Sequence, residues 1–190
     1  MLLALLAAAS AQAPYPLVAV LNEARATCSV KAPLADYRRN LAAKGWKPAT
    51  PAAGSWLADW IKRNHANDSA TNKVTDATFT RMVAGRTLFA YISEIEQASD
   101  DGPFHGLSCE IYDFAAQDGV TTAAVLAWAK AKPLPSPFDD SDGIVLQRWV
   151  PGLSPAAENA GVHFLPPSDP AKKRKQGLNY SANFTLPVSK

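Results

Sequence analysis

Three histidines, two cysteines, a group of aspartates and a run of four cations are the side chains that could give this 190-residue chain a chemistry. His65, His105 and His163 lie far apart, and none belongs to a His-Glu-x-x-His or Cys-x-x-Cys pattern, the paired spacing by which zinc sites show themselves in a sequence. No metal centre and no cofactor is expected from these spacings. His105 stands close to Asp100, Asp101 and Ser108, so a base, an orienting acid and a nucleophile can all be named within one short stretch. Residues so close along an extended loop seldom point at one another, and the Gly-x-Ser-x-Gly turn of a serine hydrolase is absent. The stretch reads as a surface turn, and no catalytic residue is assigned.

Asp139, Asp140 and Asp142, followed by Gly143, partly match the alternating carboxylates of a calcium loop. Phe138 occupies the place of the first ligand and no glutamate closes the loop, so a solvated turn is the better reading. Lys172, Lys173, Arg174 and Lys175 form the sharpest surface feature. Outside the cell their natural partner is anionic: a lipid headgroup, a cell-wall polymer or an acidic protein face. The alternative is a solvated loop whose charge serves solubility. Removing these four from the 19 Lys and Arg leaves 15 against 17 Asp and Glu, so there is no broad basic surface and nucleic-acid binding is not expected.

The compartment follows from the N-terminus and the cysteines. Residues 1–13 form an apolar run ending in small residues, and Ala9-Ser10-Ala11 fits the rule for cleavage by signal peptidase before Gln12. The run is shorter than the roughly 20 residues needed to span a bilayer. Residues 1–11 are therefore read as a signal peptide and 12–190 as one domain, with no membrane span after cleavage and a periplasmic or secreted location. In an exported chain, two cysteines most simply pair, giving a Cys28–Cys109 disulfide. The sequons at Asn67, Asn179 and Asn183 matter only in a eukaryotic secretory pathway.

These side chains must be held by elements that the hydrophobic pattern reveals. Leu17, Val20, Leu21, Ala24 and Cys28 recur at helical spacing, and Leu34, Tyr37, Leu41 and Ala42 give a second helical face that stops at Gly45. Ser55 can cap a third helix carrying Trp56, Leu57, Trp60 and Ile61. Of the five tryptophans, Trp46 and Trp56 flank a Pro-rich connection and are the ones expected to be partly exposed. Asn64 to Thr75 reads as an exposed loop, and Thr78 to Val83 as a strand turning at Ala84-Gly85 into Arg86 to Glu96. Gln97 to Gly106 reads as a surface loop, Leu107 to Ala116 as the next strand, and Thr121 to Lys130 as a helix. Strands are expected at Ile144 to Val150, at Val162 to Leu165 and, by its period-two alternation, at Leu178 to Leu186, which is placed at a possible edge.

The expected fold is α+β: N-terminal helices packed on a mainly antiparallel sheet of about five strands, with one inserted helix. Two functions fit. The first is an exported, non-enzymatic binding or envelope-associated protein that meets its partner through the basic run and the sheet edge near Leu178 to Leu186. The second is an exported hydrolase in which His105 or His163 acts as a base beside a carboxylate near Asp100 or Asp139.

Overall fold

Apolar periodicity builds the N-terminal layer. Leu17, Val20, Leu21 and Ala24 line one side of α1 (Leu17–Thr27), and Leu34, Tyr37 and Leu41 line α2 (Leu34–Ala43). Gly45, at φ 81°, takes the left-handed conformation that ends α2, and the Trp46 amide returns to the Leu41 carbonyl at 3.0 Å. That turn drives Trp46 into the core at 2 % exposure, with its indole Nε1 donating to Glu23, so the partial exposure expected for it is not found. Trp56 is partly exposed, as expected.

The computed structural model describes residues 14–66, 68–99, 102–135, 144–166 and 177–188. The proposed leader, Asp100, Asp101, the Asp139–Gly143 group and the Lys172–Lys175 run lie outside them. After α2 come a two-residue strand, β1 (Lys47–Pro48), and α3 (Trp56–His65), whose first turn is capped by the Ser55 side chain. Then follow β2 (Asn72–Val83), β3 (Arg86–Ser99), β4 (Gly102–Asp113), α4 (Thr122–Ala129), β5 (Val145–Trp149), β6 (Asn159–Leu165) and β7 (Gly177–Thr185). Ala84 and Gly85 both have positive φ and make the tight β2–β3 turn.

The strands form one antiparallel sheet in the order β1-β2-β3-β4-β7-β6-β5. The fold is thus α+β, with seven strands where about five were expected. The clean alternation of β7 does mark a half-buried strand, but β7 lies between β4 and β6 and is not an edge. Its position is set by a long return connection that local pattern does not encode.

The largest correction concerns the β3–β4 hairpin. Residues expected to form a loop from Gln97 to Gly106 continue both strands, with Ala98 opposite Pro103 and Glu96 opposite His105. Backbone pairing overrides the turn propensity of Ser, Gly and Pro here. The stretch from Asn72 to Thr75, also expected in a loop, likewise extends β2 along β3.

The two faces of the sheet bury different things. Leu88, Ala90 and Ile92 of β3, Leu107, Cys109 and Ile111 of β4, and Leu178, Tyr180, Ala182 and Phe184 of β7 meet α1, α2 and α4 in the main core. Cys28 at the end of α1 and Cys109 in the sheet are joined by a disulfide, their Cα atoms 5.5 Å apart and 81 residues apart in sequence. On the other face α3 lays Leu57 over Tyr91 and Tyr112, with Trp56, Trp60, Phe89 and Phe114 around them. No helix among the described residues is long and apolar enough to cross a membrane.

Candidate functional site

The end of β2, β3 and β4 that carries the β3–β4 turn brings Lys73, Glu94, Glu96 and His105 together. Strand register sets Lys73, Glu96 and His105 in one cross-strand row, with Thr75, Glu94 and Leu107 in the row beside it. Residues two apart on a strand share a face, so Glu94 and Glu96 both point to the side that carries α2. Their carboxylates and the His105 ring each place a donor atom within 4.8 Å of the other two.

Glu94 is held by two contacts. One oxygen, Oε2, accepts the Leu34 backbone N–H at 2.6 Å in the first turn of α2, where Pro33 in the capping position offers no side-chain acceptor. A carboxylate there also complements the positive end of the helix dipole. The other oxygen, Oε1, lies 2.5 Å from His105 Nε2. His105 is buried, and its Nδ1 lies 2.9 Å from the Pro187 carbonyl, to which it donates. Burial works against the charged ring, but the Pro187 carbonyl and the Glu94 carboxylate outweigh it, and the His105 pKa is raised.

A cleft of about 460 Å³ opens on this group, lined by Ser69, Lys73, Glu96, Phe104, His105 and Val188 among others. Val188 is exposed and gives the cleft an apolar edge, while the Phe104 ring, one residue from His105, lies over Gly106 on the opposite face. The Ser69 hydroxyl accepts the Thr71 and Asn72 backbone N–H groups, which makes it a turn-forming group. Glu94 and Glu96 also line a smaller depression of about 240 Å³ on the α2 side, with Arg38 and Thr75.

Among the described candidates, Ser108, His163 and His65 do not join this site. Ser108 is an odd number of positions from His105 on the same strand and so faces the opposite side of the sheet. His163 lies on β6 among side chains of that opposite face, beside Gly161 and Ser181. His65 ends α3 and lies 2.7 Å from Asp68 and 3.0 Å from Asp76, while Asp76 also accepts from Tyr91, so this group pins α3 to the sheet. The three histidines therefore do not converge.

Lys172, Lys173, Arg174 and Lys175 belong to the β6–β7 connection, whose anchors, Leu165 and Gly177, pair at the Asp113 end of the sheet. The His105 cleft is at the other end. Between Gly106 and Asp113, β4 runs about 24 Å at 3.4 Å per residue. The Asp113 end carries its own ion pair: Arg86 grips both oxygens of buried Asp113 at 2.8 and 3.1 Å, and the Tyr15 hydroxyl donates to it at 2.9 Å. Two sequons also resolve structurally. Asn179 is 2 % exposed with its amide donating to the Ile111 carbonyl, and the Asn183 amide donates to Asn159.

Sequence reasoning missed Glu94 and Glu96. Both stand in the strand expected from Arg86 to Glu96, but the loop expected from Gln97 to Gly106 separates them from His105, and the cross-strand row emerges only from the register. Comparison with family models, curated proteins and solved structures finds no match, so the site is read from its own geometry.

Proposed function

We propose that the chain is an exported, non-enzymatic binding domain that receives a small polar ligand in the cleft at the free end of β2, β3 and β4. One observation carries this reading: both ring nitrogens of His105 are engaged, Nδ1 by the Pro187 carbonyl and Nε2 by Glu94, so the histidine offers the cleft no free base. The cleft instead combines Lys73 and Glu96 with the exposed apolar Val188, a mixture suited to fixing the orientation of a bound molecule. The hydrolase alternative loses its protein nucleophile, because Ser108 faces away from His105.

Export is supported by the apolar N-terminal run and by the disulfide, which is consistent with an oxidising, extracellular compartment. The run Lys172, Lys173, Arg174 and Lys175 would offer a contact for an anionic envelope component or protein.

The test is a small-molecule extract of the exported fraction added to the isotope-labelled mature protein. NMR shift changes confined to the end of β2, β3 and β4, with the extract unchanged in composition, support binding. Consumption of an extract component that stops in the His105→Ala variant would replace this reading with the enzymatic one.

A further inference from the structure

We propose that Glu94, Glu96 and His105 bind a divalent first-row transition cation, zinc fitting best, as the recognition centre of the cleft. The inference rests on the cleft being a ligand site and gives that site its chemistry. Three donors from two neighbouring strands already converge within 4.8 Å. Zinc bonds of about 2.0 to 2.1 Å put tetrahedral ligands about 3.3 Å apart. Reaching that geometry needs His105 Nε2 and Glu94 Oε1 to part slightly from 2.5 Å and the exposed Glu96 side chain to close in.

The contacts behind the donors are those that orient metal ligands. His105 donates from Nδ1 to the Pro187 carbonyl, which fixes the ring so that Nε2 faces the carboxylates. Glu94 is held through its other oxygen by the Leu34 amide, leaving Oε1 toward the site. Two carboxylates and a neutral imidazole balance the dication's charge. One nitrogen with two oxygens suits zinc or manganese, whereas calcium takes six to eight oxygens, more than this group supplies. On binding, the cation replaces the proton held between Nε2 and Oε1, and that proton leaves to solvent. A fourth position would face the cleft and could take a ligand carboxylate, amine or hydroxyl.

Titration calorimetry of Zn²⁺ into the tag-free mature protein decides the matter. The expected result is one zinc per chain, with a heat that changes with the ionisation enthalpy of the buffer as protons are released. Affinity should fall at least about tenfold in Glu96→Gln, an exposed position whose variant should keep its fold, with circular dichroism as the check. It should be lost in His105→Ala and unchanged in His65→Gln. No binding, or binding that Glu96→Gln leaves intact, overturns the site and makes His105 and Glu94 an ion pair only. If zinc fails to bind while a cleft ligand is still retained, only the metal assignment falls. If zinc binds here and a substrate is turned over, the non-enzymatic reading falls and the metal site stands.

Discussion

Glu96 of β3 and His105 of β4 are direct register partners, and Glu94, two residues earlier on the same face, lies within hydrogen-bond reach of the same imidazole. The two glutamates have different duties. Glu94 is tied to the α2 amide and to His105, while Glu96 is exposed. Replacing Glu94 with Gln should lower stability by about 1 to 3 kcal/mol, through the lost helix-end charge and a weakened bond to His105. Glu96→Gln should lie within about 0.5 kcal/mol of wild type. Urea denaturation of both variants measures the difference.

The disulfide ties the end of α1 to the middle of the sheet across 81 residues. A closed loop of that size restricts the unfolded chain strongly, and replacing Cys28 and Cys109 with Ala should cost about 3 to 4 kcal/mol. Denaturation of the double variant, set beside wild type under reducing conditions, should show the same loss in both.

Much of this was legible in the sequence. Helix starts at Ser55 and Thr121, the Ala84-Gly85 turn and the Cys28–Cys109 pair follow from local chemistry, because caps, turns and a single cysteine pair are encoded within a few residues or by elimination. The β3–β4 end was not legible, since Ser99, Gly102 and Pro103 carry turn propensity that long-range pairing overrides. The site went with it. A cross-strand cluster has no fixed sequence spacing, and Glu94, Glu96 and His105 meet only once the register is known. The central place of β7 was hidden for the same reason, as its neighbours β4 and β6 are chosen by topology.

His65 gives the fold a pH dependence with a definite sign. Hydrogen bonds to Asp68 first, and then Asp76, raise its pKa above the ordinary 6.5. A raised folded pKa means that its contribution is complete below about 6.5, the value in the unfolded chain, and drains away as pH rises through the folded value. The stability difference between wild type and His65→Gln should be larger at pH 6 than at pH 9. Denaturation midpoints of the two proteins at both pH values provide the check.

Asp113 is fully buried beneath Arg86 and Tyr15. Asp113→Ala leaves the Arg86 guanidinium and the Tyr15 hydroxyl without their shared acceptor, and should cost about 3 kcal/mol. Because this pair stands at the other end of the sheet, zinc affinity in the surviving folded fraction should not change. Thermal denaturation together with calorimetry separates the two effects.

The central claim is that a ligand occupies the cleft formed by the ends of β2, β3 and β4. Native mass spectrometry of the mature protein taken from its own exported fraction tests it most directly, with Lys73→Ala and a variant neutralised at Lys172, Lys173, Arg174 and Lys175 run alongside. The account predicts a retained small species in wild type and in the neutralised variant, reduced or lost in Lys73→Ala, a residue that lines the cleft in register with Glu96. A species that Lys73→Ala leaves in place but neutralisation of the basic run removes would contradict it, and so would a wild-type protein that carries nothing.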